Sequence, residues 1–158
     1  MNAKKYLNLL LMIFLIVCVT ISCKKSVKEI ESIYLKDAIS KIKVNASIKW
    51  VVILPGLGCD GCIQEGEAFM KENIGNLEVL FILSKISSLK ILEQKTGIKI
   101  SEHHNIYIDR GNDFNIPTDN NIYPCIIQLV NNKVSKHEFQ CPRNSQAFRK
   151  LKNLILSN

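Results

Sequence analysis

Two cysteines in the spacing Cys-x-x-Cys are the residues of this chain whose types and positions most directly suggest chemistry. Cys59 and Cys62 follow an apolar run at residues 48–54 and a glycine-containing bend at residues 55–58, and a helical pattern begins at about residue 60. Two thiols at this spacing can form a reversible disulfide, contribute half of a metal site, or make a permanent structural link. The rest of the chain has to discriminate between these three chemistries.

The N-terminal residues predict export from the cytoplasm. Lys4 and Lys5 precede an almost continuous apolar run at residues 9–21, which is too short to cross a bilayer comfortably and is typical of a signal peptide. A small residue and then Cys23 follow, a pattern that resembles the bacterial lipoprotein signal, in which cleavage occurs before the cysteine and that cysteine is then lipidated. We therefore expect residues 1–22 to be a lipoprotein signal peptide and Cys23 to carry a lipid such as palmitate. An ordinary signal peptide or an uncleaved anchor is the alternative.

The expected compartment changes the meaning of the other cysteines. The chain has six cysteines, of which Cys18 would leave with the signal peptide and Cys23 would carry the lipid. The remaining thiols belong to Cys59, Cys62, Cys125 and Cys141. They would lie in the bacterial cell envelope, on a lipid-anchored membrane protein that faces the periplasm or the cell surface, where disulfides form and persist. This location favours redox chemistry over a zinc site.

Length and charge predict one domain and exclude nucleic acid as a partner. We expect the lipidated cysteine, a tether and an amphipathic helix at residues 23–46, and a single domain at residues 47–158, which is long enough for its own core. The formal net charge is +7, but the lysines are scattered and are not interleaved with aromatic residues. That distribution differs from a nucleic-acid-binding surface, so no nucleic acid partner is expected.

Hydrophobic periodicity predicts alternating helices and strands. Helices are expected at residues 24–42, 60–72, 87–96 and 145–156, and strands at residues 48–54, 77–83, 105–108, 123–130 and 133–139. The first helix has Val27, Ile30 and Ala38 among its apolar positions, and we expect this face to dock on the domain. Continuous apolar strands followed by a hairpin turn at Asn131-Asn132 predict an α/β fold, in which an antiparallel hairpin extends a parallel sheet.

A proline at the start of the hairpin completes a recognisable pattern. The buried strand, the bend, the motif at Cys59 and Cys62 opening a helix, and Pro124 in the segment IYPCIIQLVNNKV together resemble the thioredoxin-like superfamily. More narrowly, the chain resembles the extracytoplasmic thiol-disulfide oxidoreductases and redoxin-type lipoproteins of bacteria. The resemblance covers about residues 47–157. It implies a three-layer α/β/α sandwich with a central mixed sheet and a C-terminal antiparallel hairpin and helix.

The resemblance also assigns roles to residues around the motif. It implies that Cys59 attacks a substrate disulfide and that Cys62 resolves the mixed disulfide, leaving a Cys59–Cys62 disulfide. It further implies a cis Tyr123–Pro124 bond, with the Tyr123 backbone presented to a substrate strand and Gly58 leaving room for that strand. The expected partners are protein thiols and disulfides of the envelope and a membrane or periplasmic electron donor. No cofactor and no metal are expected.

The chain departs from the family pattern next to the motif. Gly58 stands where thioredoxins have Trp, Gly61 where they have Pro, and Ile53 where they have a buried acid. Glu65 or Glu67 could replace that acid, although solvated side chains are the simpler interpretation. Asp60 beside the first cysteine opposes a thiolate. Because a destabilised thiolate makes a dithiol a better reductant, we expect a reductant of protein disulfides.

The remaining cysteines and a histidine pair leave alternatives open. Cys125 is expected to be a buried strand residue, and a bulge in the hairpin would be needed to bridge it to Cys141. By the family alignment, Cys141 falls in a loop beside the site and could take part in its redox chemistry. His103-His104 together with thiols could bind copper or zinc, although solvated or capping histidines are the simpler interpretation. The alternative function is therefore a non-catalytic or metal-binding thioredoxin-fold lipoprotein.

Overall fold

The computed structural model describes residues 25–157. The expected signal peptide at residues 1–22 and the lipidation site at Cys23 lie outside these residues. Within residues 25–157, none of the helices combines the length and the apolar character that a membrane span requires.

Helices and strands alternate in the order that the hydrophobic pattern predicts. The helices are α1 (Val27–Ser40), α2 (Asp60–Asn73), α3 (Leu89–Thr96) and α4 (Ala147–Leu156). The strands are β1 (Trp50–Pro55), β2 (Val79–Ser84), β3 (Ile106–Asp109), β4 (Cys125–Val130) and β5 (Lys133–Phe139). Two short 3₁₀ turns, Ile100–Glu102 and Asp119–Ile122, precede β3 and β4.

The five strands form one mixed sheet in the order β3-β2-β1-β4-β5. β1, β2 and β3 are parallel, whereas β4 is antiparallel to β1 and β5 is antiparallel to β4. Every residue of β1 and β2 is buried, which explains why these two strands are apolar apart from Ser84 at the end of β2. The expected parallel sheet with an antiparallel hairpin is therefore confirmed.

Helices cover both faces of this sheet. On one face, Leu35 and Ile39 of α1 pack with Phe114 and with alternate residues of the strands. On the other face, Phe69 of α2 and Phe148 of α4 stack with ring centroids 4.9 Å apart, and α3 adds its own apolar residues. The result is a three-layer α/β/α sandwich around a central mixed sheet, consistent with the predicted thioredoxin-like fold.

α1 docks through a face that only partly coincides with the one that its apolar residues indicate. Its buried residues are Glu31, Leu35, Ala38 and Ile39. Val27 is 56% exposed, and the predicted face is therefore only partly used. The carboxylate of Glu31 has hydrogen-bonding partners inside the protein, so the face that carries it can be buried.

The hairpin has the predicted turn and also a bulge. Asn131 and Asn132 both have positive φ, as a two-residue turn of this kind requires. The register shifts at Gln128/Leu129, and beyond the shift Cys125 pairs with Phe139. Cys141 lies past the end of β5, and both Cys125 and Cys141 are free thiols rather than a disulfide.

Candidate active site

The Cys-x-x-Cys motif lies at the carboxyl end of the central strand. β1 ends at Pro55, which is opposite Ser84 of β2, and its residue Ile53 is opposite Cys125 of β4. Because β1 lies between these two strands, the bend at residues 56–58 emerges between the loop that follows β2 and the loop that precedes β4. The motif therefore sits where both loops can contact it.

The two thiols of the motif form a disulfide with unequal exposure. Cys59 and Cys62 are bonded, and their Cα atoms are 5.3 Å apart, a normal separation for a disulfide. Cys59 is the N-cap residue of α2 and is partly exposed, whereas Cys62, one turn further, is only 8% exposed. Cys59 is thus the more exposed residue of the pair.

Gly58 is in close contact with the loop that precedes β4. Its φ is +152°, and a Cβ atom at this position would lie 2.7 Å from the Cα of Ile122. The neighbouring amide of Cys59 donates a hydrogen bond of 3.1 Å to the carbonyl oxygen of Ile122. The space that a glycine leaves at position 58 is therefore filled by this chain's own backbone.

The expectation of a cis Tyr123–Pro124 bond is wrong, because the bond is trans. Tyr123 has extended angles, φ −109° and ψ 146°, which are favoured before proline, and trans is the more stable isomer. Tyr123 directly follows the 3₁₀ turn, and its amide donates a hydrogen bond to the carbonyl oxygen of Asn120. The backbone that contacts Cys59 is that of Ile122, the residue before Tyr123, and the resemblance does not predict this contact.

Pro124 nevertheless packs against the helix that carries the motif. Its Cγ lies 3.3 Å from the position that a Cβ of Gly66 would take, and Gly66 is four residues after Cys62 on α2. The carbonyl of Pro124 accepts a hydrogen bond of 2.9 Å from the amide of Gln140. Pro124 therefore joins α2 to the end of the hairpin.

The carboxylates proposed to replace the missing buried acid are both engaged in other contacts. Ile53 is buried, so its position offers no proton acceptor. Glu67 pairs with Lys95 of α3, and the exposed Glu65 accepts a hydrogen bond from the buried side chain of Gln140. Neither carboxylate occupies the position of the family's acid.

A groove of about 680 Å³ borders the Ile122 side of the site. Its walls are the start of α1 with Val27 and Ile30, the segment that includes Ile122, and the loop after β5 with Cys141 and Arg143. Cys141 is partly exposed, and its free thiol borders the same groove as the backbone that contacts Cys59. Cys141 thus lies in a loop after β5, and its expected part in the redox chemistry stays a prediction.

Two residues that line this groove, Thr118 and Asn120, donate hydrogen bonds to a buried carboxylate that sequence analysis does not identify. Glu31 of α1 is 3% exposed and accepts hydrogen bonds from Thr118, Asn120 and His137. Burial alone would raise the pKa of Glu31, but these hydrogen bonds outweigh burial and hold the pKa below its usual range. Glu31 is therefore charged at neutral pH.

The pKa of the Cys125 thiol is shifted in the opposite direction from that of Glu31. Complete burial, with smaller contributions from the charges of Glu31 and Glu138, raises the pKa of Cys125 well above its usual value. A thiol in this environment stays protonated and behaves as an apolar side chain, as predicted for a buried strand residue.

The histidine pair is at the other end of the sheet. His103 and His104 precede β3, whereas the motif follows β1, and the two strands run in the same direction within the parallel part of the sheet. Within residues 25–157, no three His, Cys, Asp or Glu side chains lie together in a way that could hold a metal ion. The histidines and the motif thus do not form a common site.

Comparisons of the chain with protein-family models, curated proteins and solved structures find no match. What supports a thioredoxin-like interpretation is therefore the chain's own architecture. It combines a mixed sheet with helices on both faces and a Cys59–Cys62 disulfide at the start of a helix. This arrangement is compatible with a redox-active Cys-x-x-Cys site.

Proposed function

We propose that this protein is a membrane-anchored thiol-disulfide oxidoreductase of the bacterial cell envelope, held by a lipid on Cys23. The observation that carries the proposal is the Cys59–Cys62 disulfide at the N-terminus of α2, with Cys59 more exposed than Cys62. Backbone N–H groups at a helix N-terminus favour negative charge, which is what an attacking thiolate requires.

The proposed reaction transfers two electrons from the dithiol to a protein disulfide. The thiolate of Cys59 attacks one sulfur of the substrate disulfide, forms a mixed disulfide and releases the other substrate sulfur as a thiolate, which takes up a proton. Cys62 loses its proton and attacks the sulfur of Cys59, and the second substrate thiolate leaves. The products are a substrate dithiol and the Cys59–Cys62 disulfide, which a membrane or periplasmic dithiol donor must then reduce.

The neighbouring charge supports reduction as the working direction. Asp60 is exposed and directly follows Cys59, so its carboxylate disfavours a thiolate there. A less stable thiolate destabilises the reduced protein and gives the pair a more negative reduction potential. We therefore propose a reductant of protein disulfides.

The reduction potential of the Cys59–Cys62 pair is the test of this function. Equilibration with dithiothreitol of defined redox state should give a reduction potential of about −270 mV, the value of thioredoxin. A potential of about −120 mV would be that of a strong oxidant.

A second experiment traps the intermediate. Cys62→Ser should accumulate mixed disulfides with a protein substrate such as insulin, and Cys59→Ser should not. Cys125→Ala is the matched control, because it removes a buried, protonated thiol and leaves the disulfide intact. A pair that cannot be reduced without unfolding, or a purified protein with stoichiometric zinc or copper at these thiols, would contradict the proposal.

A further inference from the structure

α1 buries a charged residue where an apolar one would be expected. Glu31 is 3% exposed and lies on the same face as Leu35 and Ala38, which are fully buried. Removing a carboxylate from water is costly, and a well-packed apolar residue at such a position is often equally stable or more stable. The contacts that Glu31 makes are therefore more informative than its contribution to stability.

These contacts join three distant parts of the chain. Oε1 of Glu31 accepts hydrogen bonds of 2.7 Å from the hydroxyl of Thr118 and of 2.7 Å from the side-chain amide of Asn120. Oε2 accepts a hydrogen bond of 3.1 Å from Nε2 of His137 on β5. Each of these donors has a partner, and the carboxylate uses both of its oxygens.

Backbone hydrogen bonds connect the residues that bind this carboxylate to the redox motif. The amide of Asn121 donates to the carbonyl of Thr118 at 3.0 Å, and the amide of Tyr123 donates to the carbonyl of Asn120 at 3.0 Å. These bonds form the turn Asp119–Ile122, whose last carbonyl accepts the amide of Cys59 at 3.1 Å. Glu31 thus binds the start of the turn, and Cys59 binds its end.

The same turn is a wall of the groove beside the site. Thr118, Asn120 and Ile122 all line the groove, which Cys141 also lines. A displacement of this turn would therefore change the groove and the backbone of Cys59 together.

We propose that Glu31 is a positioning residue for the Cys59–Cys62 site: it holds the Asp119–Ile122 turn against the motif and thereby shapes the groove. The effect on protein-disulfide reduction rests on the proposed function, whereas the effect on the Cys59 amide does not. Glu31 does not touch the reacting sulfurs and acts through the turn.

Two measurements on three variants test this role. Glu31→Leu removes both acceptor oxygens, so amide hydrogen exchange at Cys59 should be about tenfold faster, and KM for insulin reduction should rise about tenfold, with a smaller change in kcat. Glu31→Gln keeps the Oε1 acceptor that Thr118 and Asn120 use, and should stay within about twofold of wild type in both measurements. Glu29→Gln is the matched control, because it neutralises an exposed glutamate of the same helix.

The outcomes separate this proposal from the proposed function. If wild type does not reduce insulin, the oxidoreductase proposal fails, and exchange at Cys59 still decides the role of Glu31. If folded Glu31→Leu exchanges its Cys59 amide as slowly as wild type, or if Glu29→Gln has the same effect as Glu31→Leu, the positioning role is wrong. If Glu31→Leu does not fold, the double variant Thr118→Val/Asn120→Ala provides the same test, because it removes the donors while His137 still pairs with the carboxylate. Unchanged exchange in that variant also overturns the proposal.

Discussion

At the scale of single residues, burial separates the cysteines into reactive and inert classes. Cys59 and Cys141 are partly exposed, whereas Cys125 is fully buried and its pKa is raised, chiefly by burial. Thiolate and not thiol is the nucleophile, so the reactivity of each cysteine follows from its environment.

The first prediction concerns alkylation. In the reduced, folded protein, iodoacetamide should modify Cys59 and Cys141 at pH 8 and leave Cys125 unmodified, because that thiol is protonated and inaccessible. Peptide mass spectrometry after quenching measures the modification of each site. Labelling of Cys125 before the protein unfolds would contradict its assignment as an inert core residue.

The second prediction uses two glycines of the same segment. Gly58→Ala should destabilise the fold by about 1–3 kcal/mol or more, since φ at this residue is unfavourable for a side chain and Ile122 occupies the space. Gly61→Ala is the control, because a Cβ there meets nothing within 4 Å, and alanine in a helix should stabilise by up to about 1 kcal/mol. Denaturant unfolding measures both changes. Equal effects of the two substitutions would show that Ile122 does not pack against Gly58.

At the scale of secondary-structure elements, the carboxylate of Glu31 joins α1 to the sheet through His137 of β5, and acid removes the charge of this carboxylate. The hydrogen bonds to Glu31 lower its pKa in the folded protein, despite the opposing effect of burial. An unfolded glutamate has a pKa of about 4.3, so the stability that Glu31 contributes is complete above that pH and is lost as the pH falls through the folded pKa.

The third prediction follows from this linkage. The free energy of unfolding of wild type should exceed that of Glu31→Gln at pH 7, and the difference should shrink as the pH is lowered below about 4.3. Urea unfolding between pH 7 and pH 3 measures the difference, with Glu29→Gln as the exposed control. A difference that is constant or grows on acidification would mean that Glu31 is not stabilised as a carboxylate.

Elements with a strong local pattern could be predicted, whereas contacts between them could not. The apolar runs of β1 and β2 and the Asn131-Asn132 turn indicate their structures from neighbouring residues alone. In contrast, Glu31 meets Thr118 and His137 across 87 and 106 residues of sequence. For the same reason, the contact of Ile122 with Cys59 and the buried face of α1 depend on tertiary structure that periodicity does not contain.

At the scale of the whole molecule, the proposed function combines a redox site with attachment to a membrane. The α/β/α sandwich contains the Cys59–Cys62 pair, and Cys23 would supply the anchor. These two parts can be tested independently, because a substitution at Cys23 leaves the core of the domain unchanged.

The fourth prediction concerns the anchor. Cells grown with a clickable palmitate analogue should incorporate it into the wild-type protein and not into Cys23→Ala, and Cys23→Ala should leave the membrane fraction. Cys141→Ala is the control and should keep the label. Equal labelling of wild type and Cys23→Ala would remove the lipoprotein assignment.

The position of the groove beside the first turn of α1 has a consequence for which molecules can reach the site. Val27 begins α1 and also lines the groove. Three residues lie between it and Cys23, and each of the four Cα-to-Cα steps covers at most about 3.6 Å, so a lipid on Cys23 would keep this edge of the groove within about 14 Å of the anchored residue. Attachment would then hold the groove near the bilayer, so that disulfides close to the membrane surface would be favoured over those far above it.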